Sequence, residues 1–265
     1  MNAQNGRLRL SAGEMDYIRF GGGEKTLVLL PGLSDGLKTV KGMAIPFALL
    51  YRALTKDFTV YAFSRREPLP PRMTTREMAA DQDEAMDALG LRRAAVVGIS
   101  QGGMIAQWLA IDHPGRVGRL VLTVTLSRPN DAAREAIGTW TELAQRGDYK
   151  GLMLDTAERS YTEKRVRQMR AAYALLGNLG RPKSFDRFLT QADACRTHDA
   201  FEELARIGCP TLVIGGTDDR IATAAASREL AERIPGAELF LYEGLGHGLY
   251  EEAPDFWTRA AAFCR

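Results

Sequence analysis

Eight short runs of apolar and β-branched residues punctuate the chain: "RLRLS" (7–11), "DYIRF" (16–20), "TLVLL" (26–30), "FTVYAF" (58–63), "AAVVGI" (94–99), "RLVLTVT" (119–125), "PTLVIG" (210–215) and "ELFLY" (238–242). The first two alternate apolar with polar positions and suit a half-exposed hairpin. The later ones are almost continuously apolar, as strands covered on both faces are. Helical patterns lie between them. One spans 74–89, opening on Thr74, Thr75 and Glu77 and closing at Gly90; others cover 101–112 and 223–234, and a last one covers 254–263. This alternation predicts an α/β fold, with a mostly parallel eight-stranded sheet flanked by helices, right-handed crossovers and an antiparallel hairpin added at one edge.

The rhythm breaks between Ser127 and Gly208, where no convincing strand occurs. Phe185, Phe188, Leu189 and Ala192 fall at i, i+3, i+4 and i+7, and Trp140 with Leu143 and Ala144 forms a second apolar face. The expected organisation is a core of residues 1–127 and 208–265 interrupted by an all-helical cap, 128–207, placed to roof a pocket. The plainer alternative is a further piece of core packing.

Composition narrows the function classes. With 45% hydrophobic and 26% charged residues, the 265-residue chain suits one large globular domain with an insertion. A net charge of +2 without a dense Lys/Arg block implies neither nucleic acid nor an anionic membrane as partner. The pairs Arg65-Arg66 and Arg92-Arg93 read as solvated surface. No leader-like amino terminus appears, and no apolar run approaches the roughly 18 residues of a membrane span, so a cytoplasmic protein acting on a small molecule is expected. Cys195, Cys209 and Cys264 lack metal-ligand spacing and read as reduced, mostly buried thiols. No metal or other cofactor is called for.

Chemistry concentrates at "AAVVGISQGG" (94–103). If a strand ends at Ile99 and a helix starts at Gln101, the residue between them turns sharply. Gly98, Gly102 and Gly103 remove side chains that would collide there. Ser100 then projects at the carboxyl end of the sheet. The Gln101 N–H, at a helix start, is free to face a developing oxyanion.

A serine hydroxyl needs a base within hydrogen-bond reach, itself oriented by a carboxylate. The chain has three histidines. His113 ends the helix after Ser100, and His198 leads out of the insertion, where capping or packing is the simpler role. His247 sits between Gly246 and Gly248 in a loop after the last strand and is the expected base. "GGTDDRI" after the preceding strand offers two carboxylates, Asp218 and Asp219.

At these residues the sequence resembles the α/β-hydrolase family over essentially its whole length outside the insertion. "GISQGG" matches the nucleophile elbow, "GTDDRI" the acid loop and "GLGHG" the histidine loop, in the family order Ser, Asp, His. The resemblance implies Asp219 as the acid, with Ser100 and His247 completing a triad, and Leu33 after "VLLPG" as a second oxyanion donor beside Gln101. Two departures stand out. Pro31-Gly32 replaces a common His-Gly, and "SRREPLPPRMT" after "FTVYAF" replaces an aspartate, arginine, glycine turn. A serine nucleophile sets the chain apart from haloalkane dehalogenases and epoxide hydrolases of this fold.

The implied activity is hydrolysis of a small to medium, hydrophobic ester. Trp140, Tyr161, Tyr173, Phe185 and Phe188 are the candidates for lining its pocket. Hydrolysis of a carbon–carbon bond in a dienoic keto acid is an alternative needing an arginine near Ser100, with Arg65, Arg66, Arg128 or Arg187 available. An aminopeptidase would use an acid such as Glu142, Asp155 or Glu158 to hold an amine. A ligand-binding receptor with a retained triad is the alternative from another class.

Overall fold

The computed structural model describes residues 2–177 and 179–265, the side chains of 171–176 lying outside that description. Eight strands form one sheet: β1 (Gln4–Leu10), β2 (Gly13–Gly21), β3 (Lys25–Leu30), β4 (Phe58–Phe63), β5 (Ala94–Ile99), β6 (Val117–Thr123), β7 (Thr211–Gly216) and β8 (Glu238–Tyr242). Their order is β1-β2-β4-β3-β5-β6-β7-β8. The β1–β2 hairpin is antiparallel, β2 joins β4 antiparallel, and every later pairing is parallel. All eight expected strands are present, with the hairpin at one edge.

Helices cover both faces because β5 and β7 are buried along their entire length. On one face, α1 (Ala44–Leu50) packs Ala44 and Ala48 into a cluster with Val60, Val97, Ile214 and Phe256. On the other, α2 (Thr75–Ala88) and α3 (Gln101–Asp112) bring Met78, Met86, Ile105 and Leu109 against Val96, Leu120 and Leu122. Each fully buried side chain of this kind contributes about 1.5–3 kcal/mol. Helix α2 starts where the sequence indicates, since Thr74 and Glu77 form a reciprocal capping box.

Between β6 and β7 lie α4 (Asp131–Gln145), α5 (Tyr149–Ser160), α6 (Glu163–Leu176) and α7 (Asp186–Arg196), followed by a 3-10 turn, Phe201–Arg206. Asn130 and Asp148 cap α4 and α5 through Ala133 N and Gly151 N, each at 2.8 Å. Trp140, Leu152, Phe185 and Phe188 from these helices cluster with Met104 and Ile221 from the sheet side. The chain closes with α8 (Ala224–Arg233), α9 (Leu249–Glu252) and α10 (Phe256–Cys264). Among the described residues no helix is long and apolar enough to cross a membrane.

One expectation fails here. Arg65 is not solvated surface: it is 1% exposed, among the largest fully buried side chains, and Arg66 is mostly covered by its ion pair with Asp81 at 2.9 Å. The loop after β4 drops into the protein because a buried carboxylate, Asp35, waits there.

Candidate active site

Ser100 sits between β5 and α3 at φ 53°, ψ −118°. That left-handed backbone is costly for a serine and is held by its neighbours. Ser100 N donates to Thr123 O (2.9 Å), and Thr125 Oγ1 donates to Ser100 O (2.8 Å). The glycines are sterically required. A Cβ on Gly98 would lie 2.5 Å from Gly102 O, one on Gly102 would lie 1.9 Å from Leu30 O, and one on Gly103 would lie 2.6 Å from Thr125 Cβ.

His247 Nε2 lies 2.9 Å from Ser100 Oγ, and His247 Nδ1 lies 2.9 Å from Asp219 Oδ2. Asp219 Oδ1 also accepts from Ile221 N (2.8 Å) and Ala222 N (3.0 Å). Burial pushes the Asp219 carboxyl up. The charge and hydrogen bond of His247, with those two N–H groups, outweigh it and hold the carboxyl below its usual range. An ionised Asp219 only accepts, so Nδ1 carries the proton and Nε2 is left to accept from the Ser100 hydroxyl. Asp218 stays outside this chain, its Oδ1 accepting from Thr217 Oγ1.

The glycines beside His247 let its loop approach the end of α5 closely. A Cβ on Gly248 would lie 2.3 Å from the Tyr161 ring, and Gly248 N donates to Ser160 O at 2.8 Å.

Leu33 and Gln101 are the first residues of a 3-10 turn (Leu33–Gly36) and of α3, so neither N–H has an acceptor within its own helix. A Cβ on Gly32 would lie 3.4 Å from Ser100 Cβ, which sets the Gly32–Leu33 segment beside the serine. The Gln101 side chain is fully buried. It donates to Gln191 O (2.8 Å) and Cys195 Sγ (3.2 Å) on α7 and accepts from Arg65 Nη2 (3.1 Å). Arg65 Nη2 also donates to Pro31 O. Asp35 Oδ2 accepts from Arg65 N (3.1 Å), Arg187 Nη2 (2.6 Å) and Gln191 Nε2 (3.2 Å). This network is invisible to sequence spacing.

Ser100 and His247 open into a cavity of about 290 Å³ lined by Leu33, Leu37, Trp140, Leu152, Met153, Thr156, Tyr161, Met169, Phe188, Tyr250 and Glu251. A recess of about 20 Å³, room for little more than one water, adjoins the same two residues and is lined by Met104, Val124, Leu126, Ile137, Trp140 and Cys195. A larger cleft of about 580 Å³ between Arg167, Arg170, Asp218 and Arg220 holds none of Ser100, Asp219 and His247. Trp140, Tyr161 and Phe188 thus reach the cavity. Phe185 does not: it is 9% exposed and packs in the helical cluster, its ring 6.5 Å from that of Tyr149. Tyr173 falls outside the described side chains. Glu251 was not singled out by the sequence, since only the fold turns it toward this space.

The other candidates are engaged elsewhere. His113 pairs with Asp83 at 3.3 Å. His198 is buried against Thr75 Oγ1 at 2.8 Å, and burial pushes its imidazole down to about 3. Arg128 pairs with Glu229 and Arg187 with Asp35. Glu142 pairs with Arg146, Asp155 with Arg159 and the Trp140 indole, and Glu158 with Arg170.

Known proteins resemble this chain in sequence and fold. A family model described as alpha/beta hydrolase fold matches residues 25–254. A protein of Caulobacter sp. strain K31 that bears the name "Putative carbamate hydrolase RutD" is 31% identical over 253 residues, covering 89% of this chain and 88% of its own. The 2-hydroxy-6-oxononadienedioate/2-hydroxy-6-oxononatrienedioate hydrolase 2 of Pseudomonas putida is 26% identical, covering 94% and 92%. Among solved structures, MGS-M2, an alpha/beta hydrolase enzyme from a Medee basin deep-sea metagenome library, superposes with a TM-score of 0.86 at 20% identity over 97% of this chain and 96% of that one. With the family model spanning most of its length, the chain belongs to the alpha/beta hydrolase fold family.

Proposed function

We propose that this hydrolase cleaves a small to medium, mostly apolar ester through an acyl-enzyme on Ser100. The carrying observation is the unbroken hydrogen-bond chain from Ser100 Oγ through His247 to Asp219, opening on a largely apolar cavity. His247 takes the Ser100 proton as Oγ attacks the carbonyl and then delivers it to the leaving alkoxide. Asp219 holds the imidazole tautomer and balances its transient charge. The Leu33 and Gln101 N–H groups receive the oxyanion, each such donor being worth about 3 kcal/mol. Water, deprotonated by His247, attacks the acyl carbon and releases Ser100. The helices α4–α7 act as a cap that keeps bulk water from this sequence.

A carbamate is a second substrate class open to the same attack, and the name of the Caulobacter relative favours it. Carbon–carbon cleavage of a carboxylated substrate has less support, despite the dioate substrate in the name of the Pseudomonas relative. Among the described residues no arginine or lysine lines the cavity or the recess. The deciding experiment is labelling with a fluorophosphonate probe and peptide mapping, beside turnover of p-nitrophenyl esters. An adduct on Ser100 and turnover abolished in Ser100→Ala are expected. Turnover undiminished in Ser100→Ala refutes the assignment, and a receptor role predicts ligand binding without turnover.

A further inference from the structure

Among the described residues, the cavity around Ser100 carries one acidic side chain, Glu251, and no lysine or arginine. Its other walls are apolar or neutral, Trp140, Met153, Met169 and Phe188 being typical. Tyr161, another wall residue, hydrogen-bonds the Glu251 carboxylate. The cation that acts on Glu251, Arg165, does not line the cavity; like Glu251 itself, it is solvent-exposed. A substrate entering this space therefore meets negative charge and no compensating positive wall.

We propose that Glu251 is a specificity-determining residue, selecting substrates that bring an amine or amide N–H into the cavity and rejecting those that bring a carboxylate. The inference rests on the acyl-transfer reading above. An N–H donor, above all an ammonium group, gains a charge-assisted hydrogen bond from the carboxylate, whereas an anion meets like charge. Partial desolvation by the protein around it, and the charge of Glu252, raise the Glu251 carboxyl above its usual range against the lowering by Tyr161 and Arg165, and a bound N–H group would favour its charged form. The three acids that the sequence offers for holding an amine, Glu142, Asp155 and Glu158, are paired with arginines and do not line the cavity.

The test compares kcat/KM for matched esters with a terminal ammonium or carboxylate. One pair carries the charge on the acyl chain (p-nitrophenyl 4-aminobutyrate and p-nitrophenyl hemisuccinate). A second carries it on the alcohol (butyrate esters of 3-aminopropanol and 3-hydroxypropanoic acid). In at least one pair the wild type should favour the ammonium ester by about tenfold or more, and Glu251→Gln should shrink that ratio at least about threefold. Glu251→Asp, which retains the charge, should keep the preference and guards against a folding defect in the first variant. Any smaller change in both pairs, or a wild-type preference for the carboxylates, overturns the role of Glu251. If turnover disappears in Ser100→Ala but the charge ratio ignores Glu251, this inference alone fails. If wild-type turnover is absent or survives Ser100→Ala, the acyl-enzyme reading fails and takes this inference with it.

Discussion

Asp35→Ala is the substitution that most directly tests how the site is held. The carboxylate is wholly buried and receives hydrogen bonds from Arg65 N, Arg187 Nη2 and Gln191 Nε2. It is also the main opposite charge acting on the Arg65 guanidinium, which burial pulls below its usual range and which Arg187 repels. Removing Asp35 breaks its buried pair with Arg187, which keeps Glu67 as a charged partner, and takes away the nearby negative charge that offsets the fully buried Arg65. Breaking a buried pair in this way costs about 3–5 kcal/mol, a large part of the roughly 5–15 kcal/mol that holds a domain together. At 2–4 °C per kcal/mol, the melting temperature should fall by about 10 °C. Urea unfolding followed by circular dichroism measures the loss. Adding Arg65→Met to Asp35→Ala should restore more than about 1 kcal/mol, because the uncompensated charge then disappears. A loss below about 1 kcal/mol in Asp35→Ala, or simple additivity in the double variant, would refute the electrostatic account.

Two glycine substitutions should have opposite signs: Gly102→Ala, whose Cβ would strike the Leu30 carbonyl, should cost at least about 3 kcal/mol, whereas Gly138→Ala, in α4 with nothing within 4 Å, should stabilise by about 0.5–1 kcal/mol. Urea midpoints for both report the signs. His198 folds neutral, so between its ordinary value of 6.5 and about 3 the unfolded chain binds a proton that the native state refuses. Stability from this group is present above about pH 6.5 and falls by about 1.4 kcal/mol per pH unit below it. Asp81, raised to about 6 by burial against the pull of Arg66, works in the opposite sense, so the measure is the difference in acid slope between wild type and His198→Gln, which should be shallower in the variant. Trp140→Ala removes a wall shared by the cavity and the small recess, and should move the chain-length optimum for p-nitrophenyl esters upward.

The sheet was legible because its inner strands are continuously apolar and its hairpin alternates, and burial on two faces or one leaves just those patterns. Helix α1 was not legible: Ile45, Leu49 and Leu50 remain exposed while Ala44 and Ala48 face the core, so no amphipathic stripe marks it. Pro46, third in the helix, is tolerated in the first turn but reads as a breaker. Helix α9, four residues long, is too short to show a period. Of the candidate site, Ser100, His247 and the acid loop could be read because chemistry demands particular residue types at strand ends. The choice of Asp219 over Asp218 needed the family pattern, and the structure then separates them by their hydrogen bonds. Cavity walls were half readable. Trp140, Tyr161 and Phe188 reach the space, yet Phe185, one turn before Phe188 on the same face and at the N-cap of α7, packs in the cluster beside Tyr149.

Arg65 shows why the remainder was hidden. In a linear reading, Arg-Arg before a proline-rich loop is solvated, because nothing nearby neutralises it. Its guanidinium donates to Pro31 O after β3 and to Gln101 at the start of α3, its backbone N donates to Asp35, and Asp35 in turn accepts from Arg187 and Gln191 on α7. The consequence reaches the site itself. Pro31, whose carbonyl Arg65 holds, precedes the Gly32–Leu33 segment beside Ser100, and Gln101, whose side chain it also holds, follows Ser100 directly. Both proposed oxyanion donors are therefore positioned through one buried guanidinium, and Gln101 is further tied to Gln191 and Cys195 on α7. Through these bonds a displacement of α7 would be felt at the backbone around Ser100, so this helix and the two proposed donors form one hydrogen-bonded unit.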